Sequence, residues 1–366
     1  MKAYMLLKTL RTLDWLTTLC IIAIMCVSLI CMYSSTAPSH AYAMWYKHVW
    51  GMVIGIGIYM ICSYIPFHHL WILGTYGFYI TTGLLLLTII SGSVGMGAQR
   101  WVQIAGIRFQ PAEIMKLVMP FFIVAYLSRH EDMCIHRNIR HFMPLICILV
   151  AACFLVLRQP DLGSAIILCA SGSLLLWVAG LPHRFFVYVA ITGVLIAPIA
   201  WNCIKPYQRE RIRVFLGSGS SHKERYHLEQ SHIAIGSGGF FGKGWQQGTQ
   251  NQLRFLPERR TDFIFSVLCE EFGFLGGLML IILYIILFSR IISCMHMITS
   301  LYPKLLIIGL MLPHALSVII NIGMVMGLLP IVGIPLPFVS YGLSHLWTTC
   351  ASFGSINSII DKWMYR

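Results

Sequence analysis

The chain has 366 residues, 58% of them hydrophobic and only 11% charged, with a formal net charge of +13. A set of soluble domains does not have that composition. Nor does a nucleic-acid binder, because the basic residues are scattered between apolar runs instead of being gathered on one polar face. What remains is an all-α polytopic membrane protein in contact with anionic lipid.

A hydrocarbon core of about 30 Å takes roughly 20 apolar residues to cross. Ten candidate spans follow in order: 13–34, 45–64, 70–91, 112–128, 142–157, 162–180, 185–203, 263–289, 304–327 and 341–360. The first of these imitates a secretory signal, with Lys2, Lys8 and Arg11 ahead of it and Ala41-Tyr42-Ala43 behind. Trp15 to Tyr33 is longer than the usual run of about 7 to 15 residues, however, and further spans follow, so it reads as a membrane helix. Placing both termini in the cytoplasm puts Lys2, Lys8, Arg11, Arg129, Arg137, Arg140, Arg184, Arg290, Lys304, Lys362 and Arg366 inside. The short outer segments then hold only Lys47, Arg100, Arg108 and Arg158, as the positive-inside rule requires. Most of the cysteines (Cys20, Cys26, Cys62, Cys147, Cys169 and Cys350 among them) fall within apolar runs and read as small packing residues, without a disulfide framework.

The domain organisation is a single integral membrane domain, 1–366, with one large extracytoplasmic loop, 204–262, between the seventh and eighth spans. The loop is polar, basic and glycine-rich; Tyr207, Phe215, Phe240, Phe241 and Trp245 make it a folded, membrane-skimming element. The pairs Gly51/Gly55, Gly273/Gly277 and Gly323/Gly327 would let helices approach closely. The stretch 329–340, LPIVGIPLPFVS, has three prolines and no charge. It reads as an irregular loop buried against protein, a candidate cavity wall.

Asp262 stands where the basic loop runs into the eighth span. Thr261 or Asp262 could simply cap that helix. The alternative makes Asp262 an acceptor at the outer surface, beside Arg259 and Arg260, that takes a proton or holds a cation. Glu270 and Glu271 lie about two turns deeper and point in different directions. They either support the same cavity or pair with a basic group from another span. Glu113 and Lys116, three apart on the fourth span, read as an ion pair that pins the bundle or lines a polar pocket. Arg100-Trp101 sits at the outer interface, where Trp is enriched as an anchor. The turn Arg158 to Asp161 on that side reads as a local salt bridge.

Arg209, Arg211 and Arg213 alternate, which in an extended segment makes a basic stripe for a pyrophosphate or for lipid headgroups. The run Gly236 to Gly244 resembles a phosphate loop, but its spacing is one residue short and no Ser/Thr follows, so no nucleotide site is read there. His130, Glu131, Asp132, Cys134 and His136 resemble metal ligands without a matching second cluster and read as a solvated loop.

The motifs GAQRWVQIAG, IRFQPAEIMKL, RQPDLGSA, IAIGSGGFFGKGWQQGTQNQLRFLPERRTDFIFSVLCEEFGFLGG, NIGMVMGLLPIVGIPLPFVSYGLS and FGSINSI resemble those of the SEDS family (shape, elongation, division, sporulation) from the first span to the last. Departures are Ala112 for a usual Ser, Arg260 for a common His, and Leu343 for a second Gly after SYG, where a larger side chain would reshape the outer wall. The resemblance implies a ten-span fold in the bacterial cytoplasmic membrane. It also implies a peptidoglycan glycosyltransferase of the elongation branch, which polymerises lipid II onto a growing glycan strand beside a class B penicillin-binding transpeptidase. Asp262 matches the family's essential aspartate; Trp101, Glu113 and Lys116 match its other motif positions. On this expectation Asp262 is a general base or holds a divalent cation (Mg or Mn), while Arg209, Arg211 or Arg259 offset leaving-group charge. A lipid II flippase and a non-enzymatic scaffold for wall synthases are the competing readings; polar groups confined to the outer half argue against the first.

Overall fold

A computed structural model describes residues 13–37, 42–91, 93–95, 98–104, 107–130, 138–203, 206–216, 222–256 and 258–364. Lys2, Lys8, Arg11, Ala41, Glu131, Asp132, Cys134, His136, Arg137 and Arg366 lie outside these residues.

The chain is mostly helical. In order run α1 (Trp15–Thr36), α2 (Tyr42–Tyr64), α3 (Phe67–Ser91), strands β1 (Ser93–Gly95), β2 (Ala98–Ile104) and β3 (Ile107–Phe109), then α4 (Pro111–Arg129), α5 (Ile139–Arg158), α6 (Leu162–Val178) and α7 (His183–Cys203). The remainder is α8 (Pro206–Phe215), α9 (His222–Gly238), α10 (Thr249–Gln252), α11 (Ile264–Met297), α12 (Leu301–Val325) and α13 (Leu343–Met364). Among the described residues six helices, α1, α3, α4, α5, α11 and α12, are long and apolar enough to cross a membrane by themselves. Each of the ten apolar runs coincides with a helix. The all-helical expectation needs correction in one place, where the three strands form an antiparallel sheet in the order β1-β2-β3. Strands β1 and β3 have three residues each, and β2, AQRWVQI, does not alternate strictly, so the period-two signal is missing.

The termini of the helices follow local rules. Pro111 opens α4, where its missing N–H costs nothing. Asn138 caps α5 through Arg140 N, and Asp161 caps α6 through Ser164 N at 3.2 Å. The core runs along the bundle through Ile24, Met115, Phe142, Phe265, Leu306 and Phe353, all nearly inaccessible. The last helix, α13, packs on α2, and α11 on α1 and α9. Gly51 and Gly55 make the first of these contacts close, because a Cβ at Gly51 would stand 2.3 Å from Leu343 Cδ2 and one at Gly55 3.0 Å from Cys350 Sγ. Leu343 therefore packs against α2. The other two glycine pairs are not helix-helix seams: Gly323 meets Leu329 in its own turn, and Gly327 meets His232.

Gly273 breaks α11. Its φ of 67° is a left-handed conformation open mainly to glycine. The backbone groups freed by the break are taken up by the glycine run: Lys243 N donates to Glu270 O (3.0 Å), Gly244 N to Glu271 O (3.0 Å), Phe274 N to Gly239 O (2.9 Å) and Leu275 N to Phe240 O (3.2 Å). That satisfies a membrane-depth break as lipid demands. It also explains GSGGFFGKG, whose glycines permit backbone-to-backbone approach: a Cβ at Gly238 would stand 2.0 Å from Cys269 O and one at Gly242 2.2 Å from Glu271 O. A Cβ at Gly273 would sit 2.3 Å from Gly242 N. Gly273→Ala is thus expected to lower stability by about 1–3 kcal/mol, read as a fall in melting temperature of the detergent-solubilised protein.

Candidate active site

Asp262 lies in a turn immediately before α11. The capping reading fails: the helix N-cap is Phe263 and no side chain caps it. Thr261 turns back instead, donating from its hydroxyl to Glu258 O at 3.2 Å and to Glu258 Oε2 at 3.1 Å. The Asp262 turn is fixed from below by the proline-rich loop. Asn321 Nδ2 donates to Asp262 O (3.0 Å) and Ile334 O (2.7 Å), Ser340 Oγ to Thr261 O (2.5 Å), and Tyr341 N to Arg260 O (2.9 Å). Gly333, at φ +74°, brings that loop against the carboxylate, since a Cβ there would stand 3.2 Å from Asp262 Oδ2. Leu329 to Ile331 of the same loop line a cleft with Arg211.

The Asp262 carboxyl is half-buried. Loss of water, reinforced by the neighbouring Glu258 carboxylate, pushes its pKa up to about 6, against the pull of the Arg211 and Arg100 guanidiniums. Arg100 is held in place from α4 and α6. Its Nη1 lies 3.8 Å from Asp161 Oδ1, its Nη2 donates to Pro160 O, and the Gln110 side-chain amide donates to the other Asp161 oxygen. Trp101 follows on β2, paired in register with Ser93.

Arg211 lies on α8. That segment is helical, so the extended stripe is corrected: two residues at about 100° each put Arg211 about 200° away from Arg209 and Arg213. Arg211 shares a cleft with Val214, Phe215, Leu228 and Leu329 to Ile331, whereas Arg213 pairs with Glu210 at 3.9 Å.

The remaining candidates are drawn elsewhere. Arg259 is buried and donates to Asn251 O (2.8 Å) and Ser35 O (3.1 Å); burial and the neighbouring Arg260 and Arg254 lower its pKa to about 10. Glu270 accepts from Lys243 Nζ (2.9 Å), Gln250 N (2.9 Å) and Asn251 N (3.2 Å), so it anchors the start of α10. Glu271 accepts from Ser34 Oγ and from Asn251 Nδ2 at 3.0 Å. These two carboxylates hold the loop onto α1 and α11. Glu113 and Lys116 form the expected ion pair at 2.6 Å, and His345 joins them at 2.9 Å.

No three His, Cys, Asp or Glu side chains among the described residues come together as a metal centre would. The charged neighbours of Asp262 are the Glu258 carboxylate and the Arg211 and Arg100 guanidiniums, and the chemistry below rests on the chain's own residues. Sequence reasoning singled out Asp262, Arg100 and Arg211 but missed Gln110 and Asp161 as the clamp on Arg100. Both lie in the motifs already quoted, QPAE and RQPD, which was the available signal.

Fold and site together define a multi-pass membrane protein with an arginine-flanked carboxylate at one end of its helix bundle. Known proteins share this plan. Peptidoglycan glycosyltransferase MrdB of Escherichia coli K12 is 36% identical over 351 residues, covering 95% of this chain and 93% of that one. A chain from a peptidoglycan synthase complex, solved to explain how polymerisation and crosslinking are coordinated, aligns at a TM-score of 0.83 and 25% identity over 97% of this chain and 99% of that one. The Thermus thermophilus rod shape determining protein RodA has the same fold, with a TM-score of 0.71 at 23% identity over 96% and 98% of the two chains. The pattern of the FtsW/RodA/SpoVE family of cell cycle proteins matches residues 8–363, and the chain belongs to that family.

Proposed function

We propose that this chain, a peptidoglycan glycosyltransferase, polymerises lipid II at the outer face of the cytoplasmic membrane, with Asp262 as general base. On this reading ten spans cross the bilayer, both termini are cytoplasmic, and residues 204–262 lie outside. A class B penicillin-binding transpeptidase supplies the crosslinking partner. The observation that carries the mechanism is the Asp262 carboxyl in the turn before α11, walled by Gly333 and pushed up to about 6 by burial against the pull of Arg211 and Arg100.

In the reaction the acceptor's sugar hydroxyl attacks the anomeric carbon of the donor. Asp262 takes the hydroxyl proton as the new glycosidic bond forms, and the bond to the lipid pyrophosphate breaks with inversion. Arg100 and Arg211 face the charge that develops on the leaving pyrophosphate. A base near pKa 6 is ionised at neutral pH yet still basic enough to accept a proton, which is the balance general-base catalysis needs.

Because the base works only when ionised, polymerisation by the reconstituted protein should rise with pH through about 6 and level off above 7. A rate that stays flat between pH 5 and 7 removes Asp262 from the base role. Supplying labelled lipid II to proteoliposomes tests the reaction itself: glycan chains support the enzyme, transfer of label across the bilayer without chains supports a flippase, and the absence of both supports a scaffold.

A further inference from the structure

We propose that His345 is a positioning residue for the polymerisation reaction, holding α4 and α13 in register through Glu113 and thereby fixing Arg100 relative to Asp262. The inference rests on the function proposed above and adds a residue to it.

His345 is in the first turn of α13 and is 5% exposed; Glu113 is in the first turn of α4 and is 4% exposed. Their contact is Nδ1 to Oε2 at 2.9 Å. Lys116 already neutralises Glu113 from the other oxygen at 2.6 Å. The Glu113 carboxylate can only accept, so Nδ1 of the ring donates to it, while Nε2 is buried and has no hydrogen-bond partner. The other ring facing it is His314, at 6.4 Å between centroids, whose Nδ1 lies 3.5 Å from Thr349 Oγ1. His345 thus has a single directional side-chain contact to α4.

Two arms run from it to either side of Asp262. On the α4 side, Gln110 N donates to Ser344 Oγ at 3.2 Å, while the Gln110 side chain holds Asp161, the partner of Arg100. On the α13 side, Ser340 and Tyr341 bond the backbone of Thr261 and Arg260. If α13 slides relative to α4, the carboxylate and its guanidinium part. The His345 ring is buried and its hydrogen bond runs to Glu113, so it acts through Glu113.

The test compares wild type, His345→Leu and His345→Asn as full chains in proteoliposomes with labelled lipid II; Asn places an amide N–H near the Nδ1 position. His345→Leu is expected to lower kcat by roughly 10- to 100-fold with KM little changed, and to move the acid limb of the pH profile upward as Arg100 withdraws from Asp262. His345→Asn should restore most of kcat and return the limb. Should the Leu variant fail to fold, His345→Gln, whose amide sits where Nε2 lies, takes its place with the same expectation. An unchanged kcat and acid limb, or a loss that Asn does not rescue, overturns the positioning role. An inactive wild type counts instead against the proposed function.

Discussion

Asp262→Asn is expected to slow polymerisation by about 10²- to 10⁴-fold, the usual contribution of a general base, while leaving the protein more stable at neutral pH. The second half follows from the raised pKa. Burial favours the protonated carboxyl in the fold, with a pKa of about 6 against 3.8 for the free group. Between those values the native state binds more protons than the unfolded state, so stability falls as pH rises through that window and stays lower above it. Removing the ionisable group relieves this cost, on the order of 1–3 kcal/mol above pH 6 and almost nothing below pH 4. Melting curves at pH 7.5 and pH 4 check the sign. Lost activity with raised stability marks a catalytic residue; lost activity with lost stability marks a structural one.

Glu113→Ala should be the most damaging of the substitutions to stability. Glu113 and Lys116 are 4% and 5% exposed and pair at 2.6 Å, with His345 completing the triad. Deleting the carboxylate strands a buried ammonium, which costs about 3–5 kcal/mol. The second member of the cycle sharpens the point: Glu113→Ala combined with Lys116→Met removes the stranded charge and should recover much of that loss. Thermal unfolding in detergent of the four proteins of the cycle reads the coupling. Activity need not return with stability, because the double variant still lacks the contact to His345.

Much of this was legible in the residues. Apolar runs fixed the helices because lipid leaves a spanning chain few alternatives, and Asp262 stood out because an acidic group at a seam is conspicuous in so apolar a chain. Other features were hidden for physical reasons. The break in α11 is invisible to hydropathy, which runs on unchanged through Gly273; only the glycines around Gly242 hinted that two backbones would meet. Helices α8 to α10 lie in a polar, glycine-rich stretch where periodicity is weak, so an extended stripe seemed as natural there as a helix. Arg259, Glu270 and Glu271 carry the charges of a binding site, yet each is drawn into contacts with loop backbone or with Lys243, Ser34 and Asn251, partners that sequence distance conceals. The Glu113–Lys116 pair was local and therefore readable. His345, 232 positions away from Glu113, was not.

The central claim, that Asp262 is the base of a lipid II polymerase, is tested most directly by size-resolved products from labelled lipid II. Wild type and Asp262→Ala would be reconstituted at equal amounts, each with its transpeptidase and each shown to be folded. The account predicts a ladder of glycan chains from wild type and none from Asp262→Ala over the same interval. Equal ladders from both proteins would contradict it.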